Sequence, residues 1–530
     1  MPSSTLSPIY VGGQWRASSA RRSFSAVDPQ TGHPLEPLFP VSDWSDCELA
    51  LAAAESAALE LRETPASAIA DFLEAYATAL EHSAESLVAA AHRETALPIQ
   101  PRLQNVELPR TTGQLRQAAA AAREGSWALP VLDTANNIRS YYAALGPVFV
   151  LGPNNFPLAF NAASGGDFAA AIAAGNPVIA KAHPSHPHTT RLLFEAGVKA
   201  LQQSSLPAST MQLLYHLDPD DGLRMIADRR LAAVAFTGSR HAGLALKAAA
   251  DAAGKPSYLE MSSVNPVVIL PAALAERREE VVEQFCGSCT LAAGQFCTNP
   301  GLLVLLDSPT AQEFIETVVA KLQALPAGTL FAAGVREALA VNVARVAAAG
   351  AQLRCGGHSV PGPRFAFENT LLTVAAAEFL AQPAVFQTEM FGTATLVVLA
   401  RDPAELEAVL TRLEGNLTGT IYTGKSPNVE TSLYRQVARA LRPRVGRLLE
   451  NKMPTGVAVS PAMHHGGPFP ATGHPGFTAV GIPASLRRFA MLQCFDSVAP
   501  QHLPAALQDP NPNGQLWRQI DGRWTQHDAT

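Results

Sequence analysis

Cys297 sits in the stretch "LAAGQFCTNPG" (291–301), between a phenylalanine and a polar Thr-Asn-Pro-Gly turn. A thiolate adds readily to carbonyl carbon, so this residue could be a nucleophile held on a loop. Free cysteine is also among the most buried residue types, so residue type alone leaves a core thiol equally open. Other candidate groups fall at the ends of short apolar runs. Asn154 and Asn155 follow "VFVLGP", Lys181 follows "PVIA", Gly238, Ser239 and Gly243 lie in "AFTGSRHAG", and Glu260 ends "SYLE". In open parallel sheets ligands bind beyond the carboxyl ends of the strands, which is where these residues fall. The "TGSRHAG" turn offers glycines for close backbone approach and a helix start whose free N–H groups suit a pyrophosphate. The same G-x4-G spacing is also an ordinary strand-to-helix connection.

The elements that must position these groups are legible from periodicity. Residues 46–125 are Ala-rich with charges at helical spacing and read as a helical block. After that, "GPVFVLGP", "GNPVIAKAH", "MQLLYHL" and "LAAVAFTGS" alternate with helical segments, as strands of a parallel sheet wound on both faces do. A second alternating series begins near residue 259 and includes "PVVIL", "GLLVLLD", "TATLVVLA" and "GTIYTG". A chain of 530 residues exceeds a single hydrophobic core. The fold class expected is therefore α/β, with residues 1–125 and 146–258 in one domain and 259–484 in a second. Segments 126–145 and 485–530 interrupt neither series and form a small appended element.

Composition narrows the function. A net charge of −6 without any block of Lys and Arg gives a nucleic acid no electrostatic footprint. The N-terminus has neither a charged start nor an apolar core segment, and no stretch approaches eighteen uninterrupted apolar residues. No membrane span and a cytoplasmic location are expected. Six irregularly spaced cysteines fit a reducing compartment better than a disulfide framework. Cys286 and Cys289 have C-x2-C spacing, but no second pair completes four ligands, and i, i+3 spacing places both on one helical face. His183, His186 and His188 lie in a proline-fixed loop, and His464-His465 reads the same way. No metal site is expected.

Taken together, the motifs resemble the aldehyde dehydrogenase superfamily. "GPNNFP", "VIAKAH", "AFTGSRHAG", "LEMSSVNP", "GQFCTNPG" and "TEMFGT" occur in that family's order, from about residue 8 to near the C-terminus. The resemblance implies a Rossmann-type dinucleotide-binding domain, an α/β catalytic domain and a small oligomerisation element, assembled as a homodimer or homotetramer. It implies oxidation of an aldehyde through a thioester on Cys297, with NAD or NADP as cofactor. Asn155 and the Cys297 N–H would hold the oxyanion, and Glu260 would activate the hydrolytic water. Lys181, Gly238, Ser239, Gly243, Glu389 and Phe391 would bind the dinucleotide. Phe156, Phe160, Phe296, Val457 and Val459 would line the substrate tunnel.

The stretch "NKMPTGVAVSPAMHHGGPFPATG" (451–473) and the tail "NPNGQLWRQIDGRWT" resemble the α-ketoglutaric semialdehyde (2,5-dioxovalerate) dehydrogenases and the related NADP-linked fatty aldehyde dehydrogenases. The first resemblance implies 2,5-dioxopentanoate as substrate and 2-oxoglutarate as product; the alternative is a long-chain fatty aldehyde. Pro184 stands three positions after Lys181, where NAD-preferring relatives carry Glu, so nothing there repels a 2′-phosphate. The acidic loop "DPDD" (218–221) opposes strong NADP selectivity, and both dinucleotides are expected to work.

Overall fold

Apolar β-branched runs separated by helices fold as parallel strands, because a crossover through a packed helix returns the chain in its original direction. The computed structural model describes residues 6–426 and 429–529. Its first series forms a seven-stranded sheet. The order is Ser257–Glu260, Ala233–Thr237, Val148–Leu151, Val178–Lys181, Met211–Leu214, Ile9–Val11 and Gln14–Arg16. The first five strands are parallel, and the last two close the edge as an antiparallel pair. The chain leaves Val148–Leu151 toward one side and later returns on the other. That reversal opens a crevice at the carboxyl ends, where Asn155 and Gly238 emerge.

The second series builds another seven-stranded sheet, running Gln352–Cys355, Thr370–Ala375, Ala394–Ala400, Leu302–Leu306, Pro266–Ile269, Asn416–Tyr422 and Val445–Glu450. Only its Gln352–Cys355 edge is antiparallel. Cys297 precedes Leu302–Leu306, and Glu389 precedes Ala394–Ala400, so this sheet presents its amino ends to the carboxyl ends of the first. The cleft lies between them.

A third, five-stranded sheet pairs Ala490–Asp496 with Ile138–Ala144 and continues through Val131–Asp133, Arg518–Ile520 and Arg523–Thr525. Helices Trp44–Arg62, Ala66–His82 and Leu108–Glu124 bury Leu51, Phe72, Leu73, Tyr76 and Leu115 in the core of the first sheet. Cys286 and Cys289 are buried on the helix Pro271–Thr290, packed among Phe285, Leu303 and Phe314. Burial pushes the Cys286 thiol up to about 11 and also holds the Cys289 thiol well above its ordinary value, which fits packing rather than reactivity. No helix among the described residues is long and apolar enough to cross a membrane.

Candidate active site

The cysteine loop is built by a left-handed bend. Ala292, Ala293 and Gly294 all have positive φ, and a Cβ on Gly294 would meet the Gly392 carbonyl carbon at 2.2 Å, so only glycine fits there. Gln295 then pins the chain. Its side-chain amide donates to the Ala292 and Thr329 carbonyls, and its Oε1 accepts from the Phe331 N–H. Beyond the bend, Asn265 Nδ2 donates to the carbonyls of Cys297 (2.8 Å) and Asn299 (2.9 Å). These contacts hold Cys297 partly exposed in a cavity, with its backbone N–H unbonded among the described residues. Asn155 Nδ2 reaches the same loop, donating to the Gln295 carbonyl at 3.1 Å.

Glu260 ends its strand 2% exposed, held by an antiparallel bridge to Thr472. Its Oε1 lies 3.1 Å from His465 Nε2, and the same nitrogen lies 3.4 Å from Cys297 Sγ. One ligand atom from each of the three residues falls within 4.8 Å of the others. Burial pushes the Cys297 thiol up, Glu260 adds to the effect, and Arg110 opposes it. The resting thiol is therefore protonated near neutral pH and needs a base, and His465 is in contact with it.

The sequence reading weighs His464-His465 only as metal ligands and gives His465 no part in the chemistry. The sequence signal was the Gly-Gly that follows. A Cβ on Gly467 would meet the Asn416 carbonyl oxygen at 2.3 Å, and one on Gly466 the Phe477 carbonyl oxygen at 2.4 Å. These glycines let the loop lie flat on strand ends. The His465 N–H donates to Thr478 Oγ1, and the His465 carbonyl accepts from the Ala479 N–H.

The cavity that exposes Cys297 measures about 410 Å³ and is also lined by Asn155, Lys181, Gly238, Ser239, Glu260, Glu389 and Phe391. Lys181 makes no hydrogen bond or ion pair with any described residue, and burial pulls its ammonium down to about 8. An ammonium without a protein partner at a strand end suits ribose hydroxyls or a phosphate. Glu389 accepts from the Ser263 N–H at 3.3 Å, and burial raises its carboxyl. Ser239 caps the helix Arg240–Ala252 by accepting from the Ala242 N–H. Gly243 lies one turn into that helix, where a Cβ would strike Met261 at 2.7 Å; it packs the helix and does not line the cavity.

On the other side, Phe156, Phe296 and Val457 line a second cavity of about 480 Å³. Phe156 makes edge-to-face contacts with Phe160 (5.1 Å) and Phe296 (5.3 Å). Phe160 stands on a turn, because no helix begins until Gly166. Neither Phe160 nor Val459, both expected from sequence to line the tunnel, lines either cavity. Two residues not singled out from sequence, Arg102 and Arg110, also line this second cavity. They sit on the irregular helical segment Ile99–Glu107 and the first turn of Leu108–Glu124, far from any recognisable motif.

A partly exposed thiol beside a buried imidazole and a buried carboxylate, at one end of a cavity on a doubly wound α/β frame, is an arrangement that covalent chemistry on a carbonyl carbon can use. The aldehyde dehydrogenase family profile matches residues 15–469, and the chain belongs to that family. It is accordingly an oxidoreductase that uses a nicotinamide dinucleotide. The α-ketoglutaric semialdehyde dehydrogenase 2 of Azospirillum brasilense is 40% identical over 517 residues, 95% of this chain and 97% of the relative. The α-ketoglutaric semialdehyde dehydrogenase of Acinetobacter baylyi is 34% identical and covers 98% of each chain. Among solved structures, the lactaldehyde dehydrogenase of Escherichia coli superposes with a TM-score of 0.80 at 22% identity, over 92% of this chain and 98% of that one.

Proposed function

We propose that this enzyme oxidises 2,5-dioxopentanoate to 2-oxoglutarate through a thioester on Cys297, and that it accepts both NAD and NADP. The observation that carries the chemistry is the contact chain from Cys297 Sγ through His465 Nε2 to Glu260 Oε1. The two full-length relatives carry the choice of substrate.

In the tautomer that carries its proton on Nδ1, His465 takes the thiol proton on Nε2, and the N–H so formed donates to Glu260 Oε1, which stabilises the imidazolium. The thiolate adds to the aldehyde carbon, and its oxyanion is received by Asn155 Nδ2 and the Cys297 N–H. Lys181 and Glu389 would hold the two riboses of the dinucleotide, and Phe391 would pack beside the nicotinamide. Bound there, the cofactor supplies the acceptor for the hydride that leaves the substrate carbon. Glu260 Oε2, which has no partner among the described residues, then draws a proton from water as it attacks the thioester. Collapse expels the Cys297 thiolate and releases the acid. The absence of a carboxylate at Pro184 supports use of NADP beside NAD. The chain assembles as a homodimer or homotetramer through the five-stranded sheet, whose edge strand Ala490–Asp496 exposes Met491 and Leu492.

A panel of aldehydes run with both dinucleotides tests this reading. 2,5-Dioxopentanoate or succinic semialdehyde is expected to exceed a neutral aldehyde of equal length by at least about tenfold in kcat/KM. A rise from hexanal to dodecanal, with no gain from a terminal carboxylate, would replace it with a fatty-aldehyde enzyme.

A further inference from the structure

Arg102 and Arg110 line the same cavity but are in opposite electrostatic states. Arg102 is largely satisfied: it forms an ion pair with buried Glu107, its Nη2 donates to the Asn155 carbonyl at 3.1 Å, and Nε alone lacks a partner among the described residues. The other oxygen of Glu107 accepts from the N–H groups of Leu158 (2.8 Å) and Ala159 (3.1 Å). Arg102, Leu158 and Ala159 thus fill three of the roughly four acceptor positions of that carboxylate, and Arg110 makes no hydrogen bond to it.

Arg110 is open. Its Nη1 donates to the Val457 carbonyl at 3.1 Å, while Nε and Nη2 are buried without a hydrogen-bond partner among the described residues. Its guanidinium carbon lies 4.9 Å from the Phe160 ring centroid and 5.6 Å from that of Phe156. The rings orient the group but supply no anion. Glu107 acts on Arg110 electrostatically without bonding to it, and the two guanidinium N–H groups left without a partner are a natural seat for a ligand anion. Nε and Nη2 are the two parallel donors of one edge of a guanidinium, the fork that matches both oxygens of a carboxylate.

The position fits the reaction centre. Asn155 and Cys297 line the first cavity, while their chain neighbours Phe156 and Phe296 line the second, so these two dipeptides form the wall between the cavities. Glu107, the Cys297 thiolate once formed, and Glu260 all act electrostatically on Arg110. In 2,5-dioxopentanoate four carbon–carbon bonds separate the aldehyde carbon from the carboxylate carbon, a span of roughly 5 Å.

We infer that Arg110 binds the remote carboxylate of the substrate through Nε and Nη2, so that the site selects short oxo-acid aldehydes over neutral ones. The inference rests on the proposal that Cys297 oxidises such an aldehyde, and it adds the cation responsible for selection. Arg447, the other arginine near the nucleophile, holds the carbonyls of Pro454 and Gly456 and serves the loop instead.

The test compares kcat/KM for 2,5-dioxopentanoate with that for 4-oxopentanal, in which a methyl group replaces the carboxylate. Wild type, Arg110→Lys and Arg110→Met are measured side by side. The ratio of the two substrates is expected to fall at least about thirtyfold in Arg110→Met, as loss of a buried charge partner requires. Arg110→Lys should recover part of it, because an ammonium keeps the charge and loses the fork. If wild type favours 2,5-dioxopentanoate and both variants keep its ratio within about threefold, Arg110 is not the carboxylate ligand and the proposed substrate stands. If wild type shows no preference between the two, the proposed substrate itself is wrong. Should Arg110→Met turn over neither compound, the Lys variant decides by the same ratio.

Discussion

The two walls of the cleft are built in different ways. Lys181, Gly238 and Ser239 follow strands of one parallel sheet by zero to two residues, so the dinucleotide wall is written in short local stretches. The substrate wall gathers Arg102 and Arg110 from a helical region, Phe156 from a turn, Phe296 from the cysteine loop and Val457 from a loop after the last strand of the other sheet. The first wall sets a few polar groups at strand ends among apolar side chains and is fixed by the backbone of the fold. The second is aromatic and cationic, and it can change without disturbing either sheet. One frame can therefore keep a common cofactor while its substrate changes, because the two demands fall on separate segments.

His465 belongs to the substrate-side loop yet touches both reacting groups, so its removal should have the largest effect that leaves the nucleophile intact. His465→Gln is expected to lower kcat/KM about a hundredfold at pH 7. Because burial and Glu260 hold the Cys297 thiol up, the thiolate fraction rises with pH, and part of the loss should return by pH 9 as hydroxide replaces the missing base. Steady-state pH profiles of both proteins measure this. A deficit constant from pH 7 to 9 would make His465 a packing residue only.

Lys181 tests the other wall with a smaller effect. Lys181→Met is expected to weaken dinucleotide binding about tenfold, the loss of one charge-assisted hydrogen bond, with little change in the rate of the chemical step. Burial lowers the ammonium to about 8, so wild-type affinity should fall as pH rises through that value, while the variant's affinity stays flat. Fluorescence titration of each dinucleotide from pH 6.5 to 9.5 follows both. Parallel pH curves for the two proteins would remove Lys181 from the cofactor site.

The contrast between the walls also explains what could be read in advance. Both parallel sheets were legible, since each strand is a short apolar run set between helical segments. Cys297, Glu260 and Asn155 were legible because glycines, prolines and polar residues at fixed intervals mark the turns that carry them. His465 was visible as a residue and misread as a role: only the third dimension shows that Gly466 and Gly467 press its loop against strand ends beside Glu260. At Gly243 the motif position also has a packing reason, because a Cβ there would strike Met261. Arg110 left no local signal at all. An arginine in the first turn of an Ala-rich helix resembles a solvated side chain until the Phe156 and Phe160 rings, and a Glu107 already paired with Arg102, are placed around it.

The covalent step is tested most directly by mass spectrometry of Glu260→Gln, quenched in acid milliseconds after mixing with 2,5-dioxopentanoate and dinucleotide. Hydrolysis is slowed while Cys297 and His465 remain, so one acyl group per chain should accumulate and map to the Cys297 peptide, in step with a burst of reduced cofactor. Reduced cofactor formed at the wild-type rate with Cys297 unmodified would contradict the account.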